Sequence, residues 1–547
     1  MKQTIITVMA ICGVTPAMAQ LDNTVEVTNE VKPVVTDVTK MPVRSQKAET
    51  QVTHYTMEYA VQDQPFDNFV EDPLGNYESE AVWKGRKKGY IHMGGGALGK
   101  LDGRVAYEFD LTDNDALDID FSLKGFNGKV KENRFLGVED WKSRFYKNRA
   151  ALKYNHRFSN GVDFFAKGAF ENHVFNYMGN TLRTDKQHDV LANAVVGFTP
   201  YTSARFTVEG SAGVEFFSQN HLFNLRKELG ETVLHLDASA SYSLTDNQGI
   251  GLGLGGVHSH YGNEELKGET RLFFTPHYMY ENDEMALKLG VFVSNTGHVA
   301  PDARLTFHLD SNSDVYVGAR GYEEDNDFRR LHDIHPYFSF RSDAETELVA
   351  EFHQIDAFVG YRFGKLNGLS GDVNAGYDYS TNSPDMASME FAPDGRLFHQ
   401  TELSKNRRFY INADFTYAYG DVLKIVAHHQ LNIEKGKTAD KWEKGSFSTP
   451  AFEMDWKLDA KLVNGLYAGI DWNFANYTNA ADSDPSTPDY NRPNTVNLGA
   501  SLRYTLPIQQ PVTLFVKGDN LLNQKYDRYF GYRNIGTNFL AGFAMSF

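Results

Sequence analysis

Apolar and polar residues take turns along most of this chain, and that two-residue period constrains its fold more than any other feature. From Ala204 the even positions read Ala204, Phe206, Val208, Gly210, Ala212, Val214 and Phe216, with Arg205, Thr207, Glu209, Ser211, Gly213 and Glu215 between them. Leu234, Leu236, Ala238, Ala240, Tyr242 and Leu244 alternate in the same way with His235, Asp237, Ser239, Ser241 and Ser243. Phe452, Met454, Trp456, Leu458, Ala460 and Leu462 alternate with Glu453, Asp455, Lys457, Asp459 and Lys461. Successive side chains of a strand point to opposite faces. Each segment therefore carries one apolar face long enough to cross a bilayer and one charged face.

A soluble β-sandwich alternates too, and the connections separate the two possibilities. An outer-membrane barrel has short periplasmic turns and longer extracellular loops. Every second connection here is tight: Asp113-Asn114, Ser159-Asn160, Tyr201-Thr202, Asn247-Gln248, Asn282-Asp283, Asn312, Leu366-Asn367, Gly420-Asp421, Asn464 and Gln509-Gln510. The others include long ones, at 125–148, 323–345, 382–407 and 520–537. This phase predicts an all-β, transmembrane antiparallel barrel over 89–547, of about 22 strands within a range of about 20–24, with both ends in the periplasm. No run of about 18 apolar residues occurs, so a helical span is excluded. The abundance of Tyr (29) and Phe (39) suits strands joined by polar turns.

The final segment places Phe539, Ala541, Phe543, Met545 and Phe547 on one face and stops at that Phe. Phe539, Phe543 and Phe547 are read as the assembly signal that the barrel-assembly machinery takes from a last strand. In hydrocarbon no backbone group goes unpaired, so the first and last strands must pair with each other. Tyr410, Tyr417, Tyr419, Trp456, Trp472, Tyr477 and Tyr504 are candidates for the aromatic borders that face outer-membrane lipid. So wide a lumen is expected to hold an occluding element: the N-terminal segment, folded-in loops or a partner protein.

The N-terminus reads as an export signal over residues 1–19. Met1-Lys2-Gln3 opens it, Ile5 to Val14 form its apolar stretch, and Ala17-Met18-Ala19 is an A-x-A cleavage site that leaves Gln20 first. The single cysteine, Cys12, lies in the removed part, so disulfides and thiolate chemistry are not expected in the exported chain. Residues 20–88 form a separate Pro/Thr/Val-rich segment: a periplasmic arm, a lumen-inserted stopper or disordered chain. A net charge of −17 argues against nucleic acid as a partner.

Asn520-Leu521-Leu522-Asn523-Gln524-Lys525-Tyr526, with Tyr529 and the closing Asn538 to Phe547, resembles the C-terminal signature of TonB-dependent receptor barrels. The stretch from Val25 to Asp37, followed by Gly89-Tyr90-Ile91-His92-Met93-Gly94-Gly95-Gly96, resembles the start of a plugless subgroup of that family. The resemblance implies an outer-membrane location and a transport-type barrel. Thr24-Val25-Glu26-Val27-Thr28 is similar to the segment such receptors offer to TonB, while the chain before residue 89 is too short for the family's globular plug.

No catalytic site is found, and neither a cofactor nor a metal is expected. His258-Ser259-His260 puts two imidazoles on the outer face near the rim. His428 and His429 take opposite faces. His332 and His335, near Asp333, are read as exposed loop residues, and Glu323-Glu324-Asp325-Asn326-Asp327 as solvated charge. The Gly94–Gly96 run is read as permitting a tight first hairpin. The lumen face is assigned Arg205, Glu209, Glu215, Asp237, Lys424, Glu453, Asp455, Lys457, Asp459, Lys461 and Asp471. Two functions fit: passage or binding of a solute across the outer membrane, or a non-transporting scaffold in an outer-membrane assembly or secretion complex with an outer-membrane or periplasmic protein partner. A non-enzyme is expected under either.

Overall fold

The computed structural model describes residues 88–131, 140–177, 186–202, 205–219, 229–262, 266–339, 348–366, 368–391, 397–438, 441–444, 449–477, 493–529 and 532–547. The export signal, the segment from residue 20 to 87 with its TonB-box-like stretch, Ala204 and Asn367 lie outside the described residues.

Twenty-two strands close into one antiparallel barrel. In chain order they are β1 Gly89–Gly96, β2 Leu101–Asp110, β3 Asp115–Lys131, β4 Asp140–Arg157, β5 Asp163–Asn176, β6 Lys186–Thr202 and β7 Phe206–Gln219. They continue as β8 Leu229–Ser243, β9 Gln248–Tyr261, β10 Thr270–Glu281, β11 Met285–Ser294, β12 Val299–Asp310, β13 Ser313–Glu324 and β14 Glu351–Leu366. The rest are β15 Leu369–Phe391, β16 Leu397–Tyr419, β17 Leu423–Thr438, β18 Pro450–Val463, β19 Leu466–Tyr477, β20 Thr495–Thr505, β21 Val512–Asp519 and β22 Asn538–Ser546. Each pairs with its chain neighbour, and β1 pairs with β22 from Tyr90↔Ser546 to Gly96↔Leu540. No edge is left open, which is what a membrane-spanning sheet requires.

That seam depends on two glycines. A Cβ on Gly96 would lie 1.9 Å from the Phe539 carbonyl oxygen, and one on Gly542 would lie 2.0 Å from that of Met93. Both clashes are with backbone, so neither can be relieved by a rotamer change. The first hairpin then turns through Ala97–Gly99, with Leu98 and Gly99 at positive φ of 58° and 62°. The Gly-rich start of the barrel thus serves both the turn and the closure.

Chain ends and tight turns share one end of the barrel: Lys88 and Gly89 donate their N–H groups to the Phe547 carbonyl at 3.0 and 2.8 Å. Asn and Asp close these turns by accepting from the backbone beyond. Asn282 Oδ1 accepts from the N–H groups of Glu284 (3.0 Å) and Met285 (2.7 Å). Asp310 Oδ1 accepts from Asn312 N–H at 2.7 Å. Tyr201 and Thr202, expected as a turn, belong to β6, which runs through both residues.

At the opposite end the strands run further than the hydrophobic pattern suggested. β3 and β4 continue through much of 125–148, and β15 and β16 through most of 382–407. Once paired, a ladder satisfies its own backbone groups whether or not lipid surrounds it. Sequences such as Gly128-Lys129 and Lys142-Ser143-Arg144 are polar on both faces, which hid these extensions from the alternation test.

One face of the barrel is exposed and apolar. Phe216, Leu234, Leu236, Leu252, Leu254, Leu272 and Phe274 form an exposed belt across β7–β10, with Leu236 57% exposed. Trp456, Trp472, Tyr419 and Tyr504 belong to the exposed side as well. Tyr410 and Tyr477 do not: they are 8% and 3% exposed, and Tyr410 donates to Asp356 Oδ1 at 2.7 Å. Their strand parity puts them on the inner wall, so the expectation that they mark the lipid border is corrected. Among the described residues, no helix is long and apolar enough to cross a membrane.

Candidate functional site

The buried core lies at the mouth opposite the chain ends, where the connection between β13 and β14 folds back inside. Its helix α1, Phe328–Ile334, is short but well specified. Asp327 is the N-cap, and its Oδ1 accepts from Arg330 N–H at 2.7 Å. Phe328 and Leu331, one turn apart, are fully buried. They pack with Leu191 of β6, Phe217 of β7, Tyr261 of β9, and Leu266, Phe338 and Leu348. Leu191, Phe217 and Tyr261 occupy the strand face opposite the exposed apolar belt, so α1 lies inside the mouth.

Polar contacts fix α1 in register with that wall. Phe328 N–H donates to Glu231 Oε2 at 2.7 Å, supplying a partner for a free helix-end donor. Arg329 Nη1 donates to Glu215 Oε2 at 2.9 Å. Arg330 bonds to Asn326 Oδ1 at 2.7 Å, lies 3.0 Å from Glu324 Oε2, and donates to Glu351 Oε2. His332 Nε2 is 3.2 Å from Asp189 Oδ2 and 3.2 Å from His173 Nδ1, and His173 Nε2 is in turn 3.2 Å from Glu171 Oε2. Burial pulls the His332 pKa down, but hydrogen bonding and charge from Asp189 and Asp333 outweigh it, and the net shift is up to about 9. A protonated His332 is the counter-charge to the wholly buried Asp189.

A second cluster continues the closure. Val130, Phe145, Phe175, Tyr177, Tyr337 and Tyr532 pack together, and Tyr337 stacks on Tyr532 at 3.4 Å between ring centroids. Arg528 lies over the Phe145 ring at 4.3 Å. Tyr532 and Arg528 come from a small hairpin, Asp527–Tyr529 with Tyr532–Arg533, in the connection between β21 and β22. The short strand Phe338–Ser339 runs parallel to the start of β16 at His399 and Gln400. Three separate stretches of chain therefore meet over one side of the mouth.

These contacts correct two expectations. His332 and His335 are each 2% exposed instead of lying on an open loop. The run Glu323–Asp327 is not solvated charge: Glu323 accepts from Thr296 (2.7 Å) and Arg271 (3.2 Å) and contacts His298 (2.6 Å), Asn326 is buried, and Asp327 caps α1. The signal was present in Asp327-Phe328-Arg329-Arg330-Leu331, an Asx N-cap followed by apolar residues three apart. What no local pattern revealed was the wall that α1 packs against.

The residues assigned to the lumen fall into separate patches. Glu209 accepts from Ser239 Oγ at 2.8 Å, Asp237 is exposed, and Arg205 sits beside the β6–β7 turn. On β17–β19, Lys424 is the register partner of Asp459 and Lys457 that of Asp471, so opposite charges face each other across strands. Asp471 also pairs with Lys517 at 3.2 Å, Asp459 with Arg503, and Lys461 with Asp421. Asp455 accepts from Asn473, and Glu453 is the register partner of Gln430. Of the whole set, Glu215 contacts α1. His258 and His260 share the parity of exposed Leu252 and Leu254, while His428 pairs with Asp414 (2.6 Å) and His429 accepts from Trp456 Nε1 (3.0 Å). Phe539, Phe543 and Phe547 lie on the exposed side.

No protein-family model matches the chain, and no curated protein matches it. Solved structures do match its fold. The FrpB iron transporter from Neisseria meningitidis superposes with a TM-score of 0.64 at 9% identity, over 85% of this chain and 82% of that one. The ferric-catecholate import receptor Fiu from E. coli K12 gives 0.60 at 10% identity, over 84% and 82%. The ferric enterobactin receptor PfeA from Pseudomonas aeruginosa, as its R480A mutant, gives 0.61 at 12% identity, over 84% and 81%. What they share with this chain is the fold, a 22-strand antiparallel barrel.

Proposed function

We propose that this chain is an outer-membrane barrel that binds or passes a solute, and that residues 325–339, with α1 at their centre, form its extracellular closure. One observation carries the reading: α1 is seated on inner-face residues of β5–β9 by an apolar cluster ringed with ion pairs. A scaffold that only displays its loops has no need to spend so much apolar surface inside its own mouth. The solved structures of like fold include ones named as an iron transporter and as an import receptor, which supports a transport role. On β17–β19, Glu453, Asp455, Lys457, Asp459, Lys461, Asp471 and Lys424 form a wall of mixed sign, suited to a hydrated path. Glu209, Asp237 and Arg205, on and beside β7 and β8, form a second polar patch of the inner face. Phe539, Phe543 and Phe547 are the face through which the last strand is recognised during assembly.

Planar-bilayer recording tests this directly. The full chain should show low resting conductance, and replacing 327–348 by a short Gly-Ser linker should raise it severalfold. A large steady conductance from the unaltered protein, or no change on replacing the segment, overturns the closure. A stable stoichiometric complex with assembly or secretion proteins, isolated from native membranes in mild detergent, would favour the scaffold role instead.

A further inference from the structure

Glu324 ends β13, Glu351 begins β14, and the two are register partners. They are the two feet of the inserted segment. His353, the next inner-face residue of β14, is 6% exposed and stacks on Tyr322 at 4.3 Å. Its Nδ1 is 2.8 Å from Asp378 Oδ1, a hydrogen bond in which Nδ1 donates, so Nε2, facing the two glutamates, is the ring atom that takes either a proton or a metal. Buried Nε2 has no hydrogen-bond partner. It lies 3.6 Å from Glu351 Oε1 and 3.7 Å from Glu324 Oε2, beyond hydrogen-bonding distance.

Those separations have another meaning. Metal–ligand distances of about 2.0–2.2 Å put tetrahedral ligand atoms about 3.3–3.6 Å apart. The three donor atoms all fall within 4.8 Å of one another. An imidazole whose other nitrogen is held by a carboxylate is the usual supporting arrangement of a metal-bound histidine. We propose that Glu324 Oε2, Glu351 Oε1 and His353 Nε2 bind a divalent transition metal of the zinc class, with Asp378 as the positioning residue for the imidazole. The imidazole selects against calcium and magnesium, which take oxygen ligands.

Local charge agrees. Glu324, Glu351 and Asp378 face two guanidiniums, those of Arg330 and of Arg408, the latter 3.3 Å from Asp378. With His353 neutral, one negative charge is left for a cation to offset. Arg330 donates to Glu351 Oε2, the oxygen other than the proposed ligand Oε1, and lies 3.0 Å from Glu324 Oε2, so the guanidinium flanks the site and holds both glutamates in place. The competing occupant is a proton on Nε2. A bound metal clips the base of segment 325–350, and through Arg330 it links that base to α1.

The test uses the untagged full chain in detergent, stripped with a chelator and titrated with Co²⁺ alone. The expected result is one equivalent of Co²⁺ with visible absorption, displaced by equimolar Zn²⁺. His353→Ala and the near-isosteric Glu351→Gln should abolish that absorption, and Asp378→Asn should weaken binding about 10–100-fold. Each variant is first checked for the heat-modifiable gel shift of a folded barrel, and the unaltered protein decides the matter if one fails to fold. No Zn²⁺-displaceable Co²⁺ spectrum, or one kept in full by both His353→Ala and Glu351→Gln, overturns the proposal.

Discussion

Raising the pH should unseat the mouth-closing helix, because its buried His332 is held as an imidazolium. His332 titrates near 9 in the folded protein against an ordinary value of 6.5. For a group whose pKa is raised by folding, the stabilisation is complete below the ordinary value and disappears as pH climbs through the folded one. The shift corresponds to about 3 kcal/mol at full extent, of which about 2–3 kcal/mol is lost between pH 7 and 10. Above that window Asp189, wholly buried, loses its positive partner and is left with neutral donors, among them the amides of Gln187 (3.1 Å) and Gln219 (3.5 Å). The opening equilibrium of α1 should therefore rise on the order of 50–100-fold. Proteinase K nicking within 325–350, read by mass spectrometry and corrected for the protease's own pH profile, follows that equilibrium. His332→Gln should be nicked faster than the unaltered chain at pH 7 and converge with it above about pH 9. If the two proteins show parallel pH profiles, His332 is not the charge that seats the helix, and the reasoning fails.

Removing apolar contacts should loosen the same segment without pH dependence. Leu331→Ala should cost about 2–5 kcal/mol of seating and Phe328→Ala about 3–5 kcal/mol, seen as faster nicking at pH 7. At the seam, Gly542→Val drives a side chain into the Met93 carbonyl and should abolish the heat-modifiable folded form on gels. Gly95→Ala, where an added Cβ has nothing within 4 Å, should retain it. Leu236→Arg on the exposed belt should cost about 2–4 kcal/mol in reversible folding into lipid vesicles, while Asp237→Arg, on the other face of β8, should cost far less.

Strand count, the phase of the turns and the identity of the lipid-facing side were legible in the sequence, for a local reason. A strand's two faces are written at alternate positions, and most of the tight turns carry their own Asn, Asp or Gly. Leu236 and Asp237 could be assigned opposite faces with no knowledge of what surrounds them. The closure of β1 on β22 was legible too, because an open edge in hydrocarbon is forbidden outright. Tyr410 shows the limit: its residue type suited the lipid border, and only the register of β16 revealed that it faces Asp356. The same limit hid the mouth. Nothing within 323–351 says that His332 will meet Asp189 and His173, that Arg329 will meet Glu215, or that Glu324 and Glu351 will share a site with His353. Those residues are separated by long stretches of chain, and only the curvature of the closed sheet brings them together. Local alternation determined that a barrel forms and which side meets lipid. The burial of charged groups inside it, and the chemistry that follows, was decided by the tertiary fold.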